Sequence, residues 1–324
     1  MIQKLINTPT QAIIEKAINE NYINYLYLFV EIQSKFLSKL YSRYQSIENG
    51  NLVLYYARQA HKNILRNKDY NLSFDISLQK FWENHSQIDC KKISIIKTAA
   101  NTSLSKETAR RKILELIKQK VLNKKNRNIG WLPNQHYKQN YNLIIDDEIN
   151  DVCKLISFIC NKTNLSISKE EITKELKEKF SFYWFHYLGV QLEYLKIWNK
   201  QFSDPEIILI FLQVTHLFTL KAKGKNLSHK KLYDEPSLLK EFINVSVSST
   251  SVAEVTNIPR ATCIRKLEVL VKSKLISQDK ISKRYYIIPN TIRDDLILMK
   301  TTEKVIKVFS EFYFICLRAL NIKI

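Results

Sequence analysis

ARRKILELIKQKVL, Ala109 to Leu122, and CIRKLEVLVKSKLI, Cys263 to Ile276, are the two stretches from which the rest of the chain can be read. In both, small or apolar residues recur every three to four positions: Ala109, Ile113, Leu116 and Ile117 in the first, Cys263, Leu267 and Leu270 in the second. That is the period of an amphipathic helix. The other faces of the helix that carries the first stretch are basic, with Lys106, Arg110, Arg111, Lys118 and Lys120. Laid over each other, the stretches match Arg111, Lys112, Leu116, Lys118 and Lys120 with Arg265, Lys266, Leu270, Lys272 and Lys274.

Upstream of the first stretch, Ile95, Ile96 and Ala99 predict a short apolar helix stripe, broken at Asn101-Thr102-Ser103 before Leu104 turns back to the core. Ser105 offers a side-chain oxygen to cap the next helix, and Glu107 suits its first turn. A small residue at 99, an apolar one at 104 and a small one at 109 let two short helices cross closely, which is the helix-turn-helix spacing. The second copy repeats the plan with Val252, Ala253, Ile258, Cys263, Leu267 and Leu270 inside, and Pro259 at the helix start in place of the serine. Downstream, Val121-Leu122 and Trp131-Leu132 flank NKKNRNIG, and Ile276 to Gln278 and Arg284 to Ile288 flank Asp279 to Lys283. Each suits two short strands joined by a basic hairpin loop.

The match extends outward. At an offset of about 154 to 158 residues, Ala99, Leu104 and Thr108 fall over Ala253, Ile258 and Thr262, while Ile14, Tyr22, Tyr25, Gln33, Phe36, Leu37 and Tyr44 fall over Ile172, Phe180, Tyr183, Gln191, Tyr194, Leu195 and Phe202. The expected fold is mainly α: a tandem duplication of a helical domain with short β-hairpin wings. The boundary lies near the polar NKTNLSIS of Asn161 to Ser168, giving halves 1–162 and 163–324 with basic units at about 90–134 and 246–290. In each half a long helical stretch (Gln11 to Tyr44; Lys169 to Phe202) precedes a second helix (Leu52 to Ile64; Glu206 to Leu220), a polar connector, the basic unit and a closing helix (Asp146 to Cys160; Ile292 to Leu320).

SLSKETARRKILELI (103–117) and TNIPRATCIRKLEVL (256–270) resemble the winged helix-turn-helix regulators of bacteria, of the MarR and IclR kinds. The usual turn glycine is Ser103 in one copy and Asn257 in the other. The resemblance implies that the second helix of each unit enters the major groove of double-stranded DNA and that the wing lies along phosphates. By position, the base-reading candidates are Lys106, Glu107, Thr108, Arg110 and Arg111, and Arg260, Ala261, Thr262, Ile264 and Arg265. Arg111 and Arg265, matched in both copies, can each donate two hydrogen bonds to guanine; pairing with a nearby carboxylate or with phosphate alone is the competing reading. The wing candidates are Lys124, Lys125 and Arg127, and Lys280, Lys283 and Arg284, for which a solvated charge run is the competing reading. Such regulators usually pair to read two half-sites, so a fused pair is expected to act as one monomeric pseudo-dimer. Its core would be Tyr25, Tyr27, Phe29 and Phe36 with Tyr183, Trp184, Phe185 and Tyr187, packed with the closing helices.

Composition agrees with a polyanionic partner. Among 324 residues, 51 Lys and Arg face 31 Asp and Glu, a net charge of +20, which favours phosphate neutralisation. Codon drift in an AT-rich genome is the bland explanation of the same bias. The 4 glycines are scattered, so neither kind of phosphate-cradling glycine loop can be assembled. Cys90, Cys153, Cys160, Cys263 and Cys316 show no metal-ligand spacing and read as reduced thiols of a cytoplasmic protein. The N-terminus lacks the pattern of a secretory signal, and the apolar runs Phe180 to Trp198 and Ile207 to Leu220 carry too many polar residues for a membrane span, so both read as buried helices.

No enzyme constellation, metal site or cofactor is expected. Asp146, Asp147 and Glu148 are read as helix-start residues that suit the dipole. The aromatic stripes, with His61 and His216 roughly equivalent, admit a small-molecule effector pocket, although core packing explains them more simply. Besides transcriptional regulation, a plasmid- or phage-type replication initiator and a chromosome-segregation protein using winged helices to hold partners share the same architecture.

Overall fold

The computed structural model describes residues 8–87, 93–126, 128–131, 135–225, 227–229, 245–287 and 296–321. The chain is mainly helical, with two small antiparallel hairpins among the described residues. The expected helix Gln11 to Tyr44 is two helices, α1 (Gln11–Glu20) and α2 (Tyr22–Tyr44). Asn21 separates them at φ −112° and ψ 32°, its Nδ2 donating to the carbonyl of Ala17 at 2.9 Å. Asn breaks helices in this way because its side chain competes for local backbone groups. After α3 (Ile47–Tyr70), the connector expected to be merely polar holds a further helix, α4 (Phe81–Gln87). Next come α5 (Ile95–Thr102), α6 (Lys106–Lys118), β1 (Leu122–Lys125), β2 (Asn128–Trp131) and α7 (Gln135–Lys162).

The later part of the chain follows the same order. Helices α8 (Lys169–Glu178) and α9 (Phe180–Phe202) are interrupted at Lys179, at φ −109° and ψ 38°. The start of α8 is fixed by a capping box between Ser168 and Glu171. Helix α10 (Pro205–Ala222) starts with Asp204 as cap and Pro205 in its first turn. It is followed by α11 (Ser249–Thr256), α12 (Arg260–Lys272), β3 (Ile276–Gln278), β4 (Tyr285–Ile287) and α13 (Leu296–Asn321).

Because α7 begins at Gln135, the carboxylates at 146–148 lie inside it and not in its first turn, which overturns their reading as helix-start residues. Asp146 instead pairs with Lys177 at 2.7 Å, and Glu148 is buried. Helix α10 is long and apolar enough to cross a membrane by length and composition, yet 67% of it is buried within the protein. Cys153, Cys160, Cys263 and Cys316 are free and buried; Cys90 lies outside the described residues.

Packing does not follow the two halves of the sequence. One compact unit comprises residues 1–10, 48–196 and 311–324, the other residues 11–47 and 197–310, so the expected boundary at 162 falls inside the first. Each unit takes its long aromatic helix from one half of the chain and its second helix and hairpin from the other.

In the first unit Phe81 of α4 is fully buried, and its ring lies 4.7 Å from that of His61 on α3, 5.6 Å from Tyr141 on α7 and 5.4 Å from Phe180 on α9. Trp82 and Trp131 close the cluster at 4.9 and 6.2 Å. In the second unit Phe29 of α2 meets Phe309 of α13 edge-on at 4.8 Å, and Tyr27 stacks on His216 of α10 at 5.8 Å. These rings pack the aromatic helix against its neighbours as expected of core residues. His61 and His216 are not equivalents: Arg58 lies over Phe185 in the first unit as His216 lies on Tyr27 in the second.

Candidate nucleic-acid interface

Two segments share one local design. Helix α5 and helix α11 each have 8 residues, and helix α6 and helix α12 each have 13. Between them the chain turns through a single left-handed residue, Ser103 (φ 56°, ψ 30°) in one and Asn257 (φ 59°, ψ 15°) in the other. The conformation that favours glycine is thus taken by a small polar residue at both places. Ser94 and Ser248 cap the first helices, accepting from the backbone N–H of Lys97 and Ser251. Ser105 caps α6 as expected, accepting from the N–H of Thr108 at 3.1 Å, whereas Pro259 starts α12 without a side-chain bond.

The buried faces are largely the expected ones: Ala109, Ile113 and Leu116 in α6, and Cys263, Leu267 and Leu270 in α12. Helix α5 differs. Ile96 is 64% exposed, while Thr98, Ala99 and Thr102 are buried. The threonines tolerate burial because their hydroxyls are bonded: Thr102 donates to the carbonyl of Thr98 at 2.9 Å, and Thr98 shares a 3.3 Å contact with the hydroxyl of Tyr56. Asn51 of α3 donates to the carbonyl of Thr102 at 3.0 Å, fixing the end of α5.

Both hairpins form. Leu122 pairs with Trp131 and Lys125 with Asn128 in the first, and Ile276 with Ile287 and Gln278 with Tyr285 in the second. Lys124 and Lys125 are exposed on β1; Arg127 lies outside the described residues. In the second hairpin the loop is shaped by Asp279, whose carboxylate accepts from the N–H groups of Ile281 and Ser282 and from the Ser282 hydroxyl. Those bonds, the Ser282 N–H first, hold its carboxyl below the usual range. Lys280 and Lys283 are exposed. Arg284 is exposed as well, but its guanidinium donates to the carbonyl of Ser246 at 2.8 Å, so it is partly engaged by the protein.

The candidate base-readers separate into two groups. Glu107 and Arg110 bind each other in a two-pronged pair at 2.6 and 3.0 Å. Arg260 donates to the hydroxyl of Thr250 at 3.2 Å, and Thr108 is held by Ser105. Lys106 and Ala261 are exposed; Thr262 and Ile264 are half-buried. Arg111 and Arg265 are both exposed, and neither has a hydrogen bond or ion pair among the described residues.

No protein-family model, curated protein or solved structure matches this chain.

The residue next to each of these arginines does the opposite job. Lys112 reaches Glu48, in the first turn of α3, at 3.1 Å, and Lys266 reaches Glu206, in the first turn of α10, at 3.0 Å. Lys266 also binds Asp204, the cap of α10. Each basic helix is thereby fastened through its inner face to the start of the helix beneath it, leaving the neighbouring arginine outside. The carboxylates were missed in the sequence, although Glu48 and Glu206 correspond at the same offset that aligns Tyr44 with Phe202. Among the described residues no three His, Cys, Asp or Glu side chains gather as a metal-binding group.

The Lys266 ammonium carries a testable consequence. Burial works to lower its pKa, but the hydrogen bonds it donates to Asp204 and Glu206 outweigh that and leave it raised. A raised folded-state value means that the pair contributes fully below the unfolded-state pKa of about 10.4 and is lost as pH rises through the folded one. Lys266→Met is expected to cost about 2 kcal/mol at neutral pH, below the figure for fully enclosed pairs because both carboxylates keep some solvent. Urea unfolding of both proteins from pH 8 to 11.5 should show the difference shrinking above pH ~10.4; a constant gap contradicts the linkage.

Proposed function

We propose that the chain binds double-stranded DNA as a sequence-specific transcriptional regulator, through two winged helix-turn-helix heads that arose by tandem duplication. The duplication is supported by the equal helix lengths, by breaks at Asn21 and Lys179 with nearly the same backbone angles, and by left-handed residues in register at Gln45 and Ser203, Ser103 and Asn257, and Lys120 and Lys274. Turn geometry of this kind is unlike a chance similarity of helical composition, since non-glycine residues adopt it sparingly.

The observation that carries the functional reading is the pair Arg111 and Arg265: exposed at matched positions, without a hydrogen bond or ion pair among the described residues, on helices anchored from behind by Lys112 and Lys266. An anchored helix presents its outer face with little freedom, which is what reading a base edge in the major groove requires. Lys124 and Lys125, with Lys280 and Lys283, would then lie along the phosphates and set the register. The two heads are unequal. The first offers the Glu107–Arg110 pair, the second the small Ala261 and the apolar Ile264, so the half-sites would differ in sequence.

Fluorescence anisotropy with a random-sequence duplex, titrated at several salt concentrations, tests the reading. Neutralising about 6–10 phosphates should lower affinity about 10³–10⁵-fold between 50 and 200 mM salt. Binding that ignores salt, or that prefers single strands, is incompatible with it. Mapping bound sites across a genome then separates a regulator, with sites upstream of promoters, from an initiator, with repeated sites at an origin.

A further inference from the structure

Helices α2 and α10 and the turn after α11, all within the second unit, enclose a cleft of about 450 Å³. That volume lies in the range of small-molecule sites. Three cations, Lys35, Lys39 and Arg43, line it against one carboxylate, Glu31. Its floor is polar. Gln213 donates to the hydroxyl of Ser34, while Ser38, about nine-tenths buried, has a hydroxyl with no partner. Nδ1 of His216, on the same wall, is buried without a partner too. Folded chains rarely leave such groups unsatisfied unless something else completes them. At the far end Asn257, the left-handed turn residue, donates to the hydroxyl of Ser42 at 2.8 Å.

The first unit shows what occupies the corresponding positions. There Phe185, Gly189, Glu193 and Arg58 occupy the positions that Tyr27, Glu31, Lys35 and His216 hold in the second. The Arg58 guanidinium lies 4.4 Å over the Phe185 ring and donates to the Phe185 carbonyl at 3.2 Å. It packs so tightly on Gly189 that a Cβ there would come within 3.0 Å of it. The first unit therefore supplies its own buried cation and a neighbouring carboxylate, whereas the second replaces the arginine by a shorter ring and the carboxylate by Lys35. The cleft is thus lined by Lys35 where the first unit has Glu193, and by the His216 ring where it has the Arg58 guanidinium.

We propose that this cleft binds a phosphorylated small molecule, its phosphate held by Lys35, Lys39 and Arg43 and its hydroxyl-bearing body by Ser38 and His216. Phosphate suits several convergent cations better than a single carboxylate does, and the cleft is several times larger than the inorganic ion. An occupant would also touch the Asn257 turn, and through it the start of α12.

Calorimetry without DNA tests this independently of the nucleic-acid reading, using inorganic phosphate, glycerol 3-phosphate and ribose 5-phosphate, with ribose as the uncharged control. The expected result is stoichiometric binding of a phosphate ester more tightly than inorganic phosphate, and none of ribose. His216→Arg, which installs the residue of the first unit beside Glu31, should weaken that binding at least tenfold. Ser38→Ala, which removes only the hydroxyl, should weaken it severalfold and serves if the arginine variant misfolds, as judged by its thermal melt. No heat with any of the three phosphates, equal binding of ribose, or unaltered affinity in a folded His216→Arg protein overturns the proposal. So does competition by a DNA duplex with no saturable ester binding, which would assign these cations to the nucleic-acid backbone.

Discussion

Arg111→Ala combined with Arg265→Ala is expected to weaken binding to a cognate duplex by about 2–6 kcal/mol, roughly 30-fold to more than 10⁴-fold, with about 1–3 kcal/mol from each two-pronged contact to guanine. The loss should fall on one base pair in each half-site, because a base contact discriminates where a phosphate contact does not. Both side chains are exposed and make no hydrogen bond or ion pair among the described residues, so the double variant should unfold at nearly the wild-type temperature. Anisotropy against the cognate site and against single-base variants of it provides the measurement. If affinity instead falls equally on every sequence and the salt slope drops by about one per arginine, the two residues are phosphate contacts. If affinity does not change at all, the proposed reading faces are wrong. The neighbouring lysines offer a contrast: Lys112 and Lys266 face inward to carboxylates, so their loss should appear first in stability.

Phe81→Ala is expected to destabilise the first unit by about 3–5 kcal/mol, the range for deleting a buried aromatic ring from a packed core. The ring is fully enclosed and touches residues of α3, α4, α7 and α9 as well as Trp131 of β2, so the cavity would sit where five elements meet. Denaturant unfolding followed by near-ultraviolet dichroism, to which Trp82 and Trp131 contribute, should shift to a lower midpoint. A loss below about 1 kcal/mol would mean that the cluster collapses onto the gap. Acid acts on the same cluster. Burial, and then the charge of His85, pushes His61 down to about 3, and burial with Lys138 pushes His85 down to about 4. Both are depressed below the unfolded value of about 6.5, so their contribution is complete above that pH and is lost as pH falls toward the folded values. The first unit should therefore weaken between about pH 6.5 and 3.

Much of this architecture was legible in the residues. The apolar period of α6 and α12, the capping serine at 105 and the flanking apolar pairs around each hairpin located the basic units closely, because all are effects within a few residues of sequence. What escaped was decided at long range. Ile96 reads as part of the apolar stripe and Thr102 as part of the break after it, yet Thr102 ends the helix buried, since a hydroxyl bonded back to its own helix costs little to bury and leaves no trace in the sequence pattern. The start of α7 was hidden because its first turn carries no acidic residue, and Asp146 finds its partner only in Lys177 of α8. Of the matched basic residues, the sequence could not separate Lys112 from Arg111: one faces Glu48 and the other solvent, a difference of about 100° around one helix. Least legible was the sorting of segments into units, since a periodic apolar face specifies that a helix has a partner and not which partner.

That sorting has a genetic meaning. Residues 11–47 support the unit that contains Asn257 and α12, more than two hundred positions further along the chain. A lesion among the earliest codons would therefore present as a defect in the last third of the protein, and a truncation that spares α12 entirely could still silence it. The two units are thus interleaved in inheritance: neither can be lost, shuffled into another gene or allowed to drift without the consent of a segment encoded beside the other.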